Sequence, residues 1–235
     1  MKPYMPSSPE ISEDLVEKRQ QLRYVTQNLE ATHGIPENTH RDDPLDELIA
    51  TILSQSTSDV NSQRAFASLK QRFPDWDSVR KARPATIARA IQSGGLANVK
   101  SVVIKNLLHE IQKRRGNLNL YFLKTVPLEE ARGFLTSLKG VGPKTAACVL
   151  LFSCHRDLFP MDTHIFRIAQ RMGLVSPHWS DQRAHAEMEP LIPHHKHYSL
   201  HVNLIRHGRL VCRPRNPRCE ECSLVEHCDW GRARL

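Results

Sequence analysis

The sequence predicts an all-α protein. Three observations lead there. Apolar residues recur at three- and four-residue intervals through most of the 235-residue chain, prolines and glycines fall where short helices would open and close, and no alternating apolar–polar run is long enough for a convincing strand. The first helix is expected over 12–32, where Leu15, Leu22, Val25 and Leu29 stand at helical spacings with charges between them. Asp43-Pro44 opens the second, from about Leu45 to Leu53, with Leu45, Leu48, Ile49 and Ile52 on its apolar face. An aspartate there can accept from first-turn N–H groups, and a proline needs no partner for one of its own. Residues 59–72 form the third, closed by Phe73-Pro74, and further helices follow at 78–81, 84–92, 98–114, 127–138, 143–153, 163–172, 180–189 and 196–209. Pro84 and Pro143 stand in first turns, while Gly94-Gly95 and Gly173 stand at helix ends. Short connections and the lack of any repeat describe packed short helices rather than a solenoid.

Composition narrows the partners. Lys and Arg number 33 against 25 Asp and Glu, a formal net charge of +8, which favours a polyanion without separating DNA from RNA or a membrane surface. No apolar run approaches the roughly 18 residues of a membrane span. The opening MKPYMPSSPE lacks the apolar centre of a signal peptide, so residues 1–11 read as a flexible lead-in to a cytoplasmic protein. Of six cysteines, Cys148 and Cys154 flank the apolar run ACVLLFSC and read as core thiols in a reducing compartment.

The other four, Cys212, Cys219, Cys222 and Cys228, are spaced C-x6-C-x2-C-x5-C. Four thiolates so close together are a ligand set for a [4Fe–4S] cluster or a structural zinc ion. Zinc sites more often pair two short knuckles, and here only Cys219 and Cys222 make one, which favours iron–sulfur. Between the first two cysteines lie Arg213, Arg215 and Arg218 with Pro214 and Pro217. Prolines stiffen this loop and a metal group would fasten both ends, so its guanidinium groups could meet phosphates with little ordering cost, as an alternative to a plain solvated charge run. Pro193-His194-His195-Lys196-His197 lacks carboxylate or cysteine partners nearby and reads as a solvated turn, while His201 and His207 read as packing residues near Cys212.

Upstream, FLTSLKGVGPKTAACVL joins two apolar helices through Gly140-Val141-Gly142. Such a turn is either an ordinary corner or a phosphate clamp, in which glycines admit a close approach and the next helix start presents unpaired N–H groups. Val141 is expected to point inward. Lys144 lies in the first turn of the second helix, where the dipole disfavours a cation and so favours the neutral, nucleophilic amine. Asp162, in MDTHIFR, is either the N-cap of the helix that follows, a carboxylate for chemistry, or both.

GVGPKTA, MDTHIFR and the cysteine tail, in that order, resemble the endonuclease III family of helix-hairpin-helix DNA glycosylases over roughly residues 35–230. The resemblance implies a two-domain all-α fold: a six-helix domain over 37–156, with the hairpin at about 131–152, and an iron–sulfur domain built from 12–36 and 157–235. It implies Lys144 as nucleophile, Asp162 as catalytic carboxylate, and the four tail cysteines as ligands of a [4Fe–4S] cluster. The implied activity is that of a monomeric, nucleoid-associated glycosylase and AP lyase that removes oxidised pyrimidines from double-stranded DNA and also takes abasic sites. A glycosylase of the same fold for alkylated or mismatched bases, and a noncatalytic DNA-binding protein, are the alternatives. Leu96 matches a wedging leucine, and either Gln55 or Ser56 would fill the space left by the extruded base. His164 matches a pocket histidine.

Overall fold

The computed structural model describes residues 13–235, and the lead-in expected over 1–11 lies outside them. Among the described residues there are twelve α-helices, several short 3-10 turns and no strand. No helix among them is long and apolar enough to cross a membrane. The described chain divides into two compact units, one of Glu37–Pro160 and one of residues 13–36 with 161–235.

The contiguous unit is organised around helix α2 (Pro44–Ser54), whose Leu45, Leu48, Ile49, Ile52 and Leu53 are all buried. At about 1.5–3 kcal/mol for each fully buried aliphatic side chain, this one helix contributes a large share of the unit's cohesion. Asp43 caps it, its Oδ1 accepting from Leu45 N at 2.8 Å and Asp46 N at 3.4 Å, and Pro44 occupies the first turn. Helix α3 (Asp59–Arg72) packs along it and ends at Phe73. Helices α4 (Trp76–Lys81), α5 (Pro84–Ala90) and α6 (Ala97–Arg115) follow, then α7 (Leu128–Thr136) and α8 (Pro143–Phe152), which packs back onto α2.

Two expectations change here. The resemblance implied six helices here, whereas the unit has the seven that the spacings predict, the short one expected at 78–81 running over Trp76–Lys81: Asp75 caps it by accepting from Ser78 N at 2.7 Å, and Pro84 starts the next helix. The division also falls after Pro160 rather than after residue 156. Leu158, past the expected end, is buried in the same core, and it follows Arg156, whose Nη1 donates to the carbonyls of Leu123, Lys124 and Val126 at 3.4, 3.3 and 2.9 Å.

The second unit joins distant parts of the chain. Helix α1 (Glu13–His33) buries Leu22, Val25 and Leu29 and packs against α11 (His197–Leu210), on which α9 (Thr163–Arg171) also packs. Polar ties fix the register: Glu30 accepts from Lys196 Nζ at 2.9 Å and Ser199 Oγ at 2.6 Å, and Asn203 Nδ2 donates to Gly34 O at 3.0 Å. The His-rich turn is therefore only partly solvated. His194 and His195 are exposed, whereas His197 is buried as the first residue of α11 and Lys196 pairs with Glu30. Helix α10 (Asp181–Met188) and the four-residue α12 (Asp229–Arg232) complete the unit.

Candidate active site and nucleic-acid interface

In the contiguous unit the turn between α7 and α8 distinguishes its two glycines. Gly140 has φ +93°, and a Cβ there would lie 2.9 Å from Val103 Cγ1, so the fold itself demands glycine. Gly142 has an ordinary φ of −86°, and a Cβ there would meet nothing within 4 Å. Its missing side chain serves no packing purpose; it leaves backbone open to whatever approaches. Val141 is buried in the core, its N–H bonded to Leu138 O at 3.0 Å. No side chain caps α8, and Pro143 has no N–H, so the N–H groups of Lys144 and Thr145 lack intrahelical partners. The Lys144 side chain is exposed and makes no hydrogen bond or ion pair among the described residues. Beside it, Thr145 Oγ1 accepts from Gln55 Nε2 at 3.4 Å, which ties the end of α2 to the start of α8.

Two further loops of this unit run side by side. Gln55 and Ser56 are exposed, and Ser56 has φ +53°. Gly95 has φ +69°, and a Cβ there would lie 3.9 Å from both Ser56 O and Thr57 Oγ1. Leu96 follows with φ +48°, ψ +33° and 60% exposure. A non-glycine residue in the left-handed region costs about 1–2 kcal/mol. An exposed leucine also forgoes roughly 1.5–3 kcal/mol of burial. Both penalties at one residue mark it as held for contact rather than for stability. Behind these loops lies Lys100, only 4% exposed, its Nζ donating to Leu53 O at 2.7 Å and Gly94 O at 2.8 Å.

The second unit presents Asp162 at the mouth of α9. Its Oδ1 accepts from Ile165 N at 2.8 Å, so it is the N-cap; its other oxygen has no hydrogen-bond partner among the described residues. One turn further along, Arg167 donates to Gly208 O at 3.0 Å and Cys212 O at 2.9 Å and lies 3.1 Å from His164 Nδ1. Arg171 then donates to Cys212 Sγ at 3.2 Å, Arg213 O at 2.8 Å and Pro214 O at 3.2 Å, with Trp230 under its guanidinium at 3.9 Å. Gly208 permits this close packing, since a Cβ there would lie 2.9 Å from His164 Cβ. His164, Arg209, Arg213 and Arg215 line one open pocket of about 520 Å³. Arg215 is exposed and has no partner among the described residues, whereas Arg218 pairs with Glu221 at 3.2 Å and so offers a phosphate less charge than its position in the sequence suggests.

Cys212, Cys219, Cys222 and Cys228 line one small cavity with Val211, Val225 and Trp230. Among the described residues no group of three or more His, Cys, Asp or Glu side chains is gathered as ligands for a metal ion. Three of the four sulfurs nevertheless have a donor of the kind that suits a thiolate. Arg171 serves Cys212, the Leu224 N–H serves Cys222, and the Gly231 N–H serves Cys228 at 3.3 Å. Burial pushes the Cys222 thiol up to about 11 and raises that of Cys228, so a metal group binding here must displace protons.

Residues 49–194 match the family described as "HhH-GPD superfamily base excision DNA repair protein". The chain belongs to that superfamily, among its endonuclease III-like DNA glycosylases. It is 31% identical to Endonuclease III of Thermotoga maritima over 87% of this chain and 92% of that one. It is 42% identical to an Arabidopsis thaliana protein named "Putative DNA glycosylase", over 73% of this chain but only 59% of the plant protein. An endonuclease III in non-covalent complex with DNA superposes with a TM-score of 0.78 at 25% identity, over 92% of this chain and 97% of that one.

In this HhH-GPD chain the candidate residues fall into two groups. Gly140, Val141, Gly142, Lys144, Gln55, Ser56 and Leu96 lie in the contiguous unit, and Asp162, His164, Arg213, Arg215, Arg218 and the four cysteines in the other. Sequence reasoning missed Lys100, Arg167, Arg171 and Gly208. Arg167 and Arg171 did carry a signal, since a spacing of four on the helix capped by Asp162 puts both on one face. Lys100 carried only a weak one, a lone cation in the apolar stretch after Leu96.

Proposed function

We propose that the protein is a monomeric, bifunctional DNA glycosylase and AP lyase that excises oxidised pyrimidines from double-stranded DNA. The observation that supports this most is Lys144: an exposed, unpartnered amine at an uncapped helix start, directly after a backbone turn open to a phosphate.

Stacking shields the sugar C1′, so the damaged nucleotide must leave the helix before any chemistry. Leu96 wedges into the stack, and Gln55 or Ser56 occupies the space opposite, on a loop already alongside it. Poorly stacked, ring-saturated pyrimidines cost least to extrude. The Gly140–Gly142 turn and the N–H groups of α8 hold a phosphate, Arg213 and Arg215 hold others, and His164 faces the lesion strand. The Lys144 amine then donates its electron pair to C1′ as the glycosidic bond breaks, its electrons leaving with the base, which is protonated. The free oxygen of Asp162 stabilises the positive charge that develops on the sugar. Opening of the sugar ring leaves a Schiff base between Nζ and C1′. Loss of a C2′ proton expels the 3′ phosphate, and water releases the unsaturated aldehyde and restores the amine.

The four cysteines fit a [4Fe–4S] cluster by spacing, shared cavity and N–H donors on sulfur. When bound, it would supply a rigid cross-link holding the arginine loop. Borohydride trapping tests the whole reading, using wild type and K144A on duplexes with thymine glycol, an abasic site or undamaged thymine. A covalent adduct on thymine glycol, formed by wild type alone, is expected. Trapping restricted to the abasic duplex would remove the oxidised-pyrimidine assignment, and no adduct from folded protein on any duplex would remove the lyase.

A further inference from the structure

We infer that Lys100 is a positioning residue that locks the Leu96 loop and the Gln55–Ser56 loop into a single wedge, an inference that rests on the function proposed above. The geometry is unusual for a lysine. Its side chain is buried, its Nζ binds Leu53 O at 2.7 Å and Gly94 O at 2.8 Å, and no carboxylate pairs with it among the described residues. Leu53 lies in the last turn of α2, immediately before Ser54 and Gln55, so the ammonium caps a helix C-terminus where cations are favoured. Gly94 opens the loop that ends in Leu96. The backbone N–H of Lys100 also donates to Leu96 O at 2.9 Å, so one residue holds both ends of that loop and the root of the other.

Stability alone does not call for an ammonium here. Burial makes the charged form costly and lowers the lysine's pKa, and an unbranched apolar side chain such as Met would fill much the same volume. What Met cannot do is bind two carbonyls from different loops and so fix the distance between them. Leu96 in turn needs that anchorage, because it stands exposed in a left-handed conformation that nothing apolar covers. A wedge acts only if it does not yield when pushed into stacked bases. With Lys100 in place, a force on Leu96 is carried through Gly94 to the end of α2 and so to the buried core.

The test is K100M in the full-length protein, with K100Q as a second variant whose shorter amide reaches one carbonyl but not both. Both should keep the wild-type circular-dichroism spectrum and wild-type borohydride trapping on a single-stranded abasic oligonucleotide, which needs Lys144 but no wedge. Excision from a thymine glycol duplex should fall by something on the order of 100-fold in K100M, the scale of loss for misplaced groups, and by less in K100Q. Fluorescence of 2-aminopurine beside a tetrahydrofuran abasic analogue, which rises on unstacking, should rise with wild type and stay low with K100M and L96A. That arm requires no excision, so it separates the wedge from the substrate assignment: wild type that unstacks the duplex without excising thymine glycol removes the substrate reading and leaves Lys100 standing. The inference falls if folded variants keep the wild-type ratio of duplex to single-strand activity, or if both activities drop together. Failure of both variants to fold would make Lys100 a core residue and overturn it equally.

Discussion

Replacing each glycine of the α7–α8 turn by alanine separates what the fold needs from what DNA needs. Gly140→Ala places a non-glycine residue at φ +93° and a Cβ 2.9 Å from Val103 Cγ1. The backbone strain amounts to about 1–2 kcal/mol. The overlap adds about 1–3 kcal/mol, because a β-branched valine has little rotamer freedom with which to move aside. Loss of glycine's unfolded-state entropy returns about 0.4–1 kcal/mol, so the net destabilisation is roughly 1–5 kcal/mol. Gly142→Ala meets nothing within 4 Å at φ −86°, and its stability should stay within about 1 kcal/mol of wild type, the entropy gain offsetting a poorer N-cap. Its methyl group, however, stands in the space a phosphate would occupy. Losing a charge-assisted hydrogen bond there weakens duplex binding by about 1.5–3 kcal/mol, or tenfold and more. Urea melts and fluorescence-anisotropy titrations on an abasic-analogue duplex read the two effects. G142A that folds normally and binds as tightly as wild type would refute the clamp; G140A as stable as wild type would refute the packing argument.

Other substitutions test the remaining parts. Lys144→Ala, at an exposed unpartnered site, should change stability by no more than about 0.5 kcal/mol and leave duplex affinity intact while abolishing borohydride trapping; parallel loss of binding would count against a nucleophile. Asp162→Asn keeps a good N-cap, so single-turnover excision should slow by roughly 10²–10³-fold with an unchanged melt, whereas Asp162→Ala should also lose about 1 kcal/mol of stability. If D162N retained the wild-type rate, Asp162 would be a cap and nothing more. Arg171→Ala removes the contacts to Cys212 Sγ and to the carbonyls of Arg213 and Pro214, and the visible absorption that the proposed iron–sulfur cluster would give should bleach faster in air than that of wild type. Colourless wild type with stoichiometric zinc would contradict the cluster. Arg215→Ala should weaken binding to all duplexes alike and lower the salt slope by about one; a sequence-dependent loss would contradict a phosphate contact.

What could be read from the sequence was what local chemistry decides. Residues 59–72 were expected as a helix and are one, and Asp43, Pro44, Pro84 and Pro143 occupy the caps and first turns their chemistry suits. Val141 points into the core and Leu96 out of it, as expected. The helix Asp229–Arg232 escaped notice because four residues carry no period, and a sulfur fixes it, Gly231 N meeting Cys228 Sγ. Lys100 escaped because its Leu53 partner is a backbone carbonyl 47 residues away, and no motif announces a carbonyl. His197 was misplaced for a similar reason: polar neighbours suggested solvent, but α11 begins there and turns it inward. Residue type and spacing predict caps, turns and candidate ligands, whereas a buried charge is explained only by partners that folding brings to it.

The joining of α1 to α11 sets a timetable for synthesis. Glu37–Pro160 is one continuous stretch and can fold as it is made, but the helix carrying Leu22, Val25 and Leu29 packs mainly on α11 and on the turn Glu189–Leu191 just before it, both made much later. At 5–20 residues per second that is a wait of roughly ten to thirty seconds. During that time the first helix made trails behind a folded neighbour with its apolar face uncovered, a natural substrate for chaperones. A translation stall between Pro160 and Glu189 would strand it, and the nascent chain would carry Lys144, the proposed nucleophile, with no arginine loop to go with it.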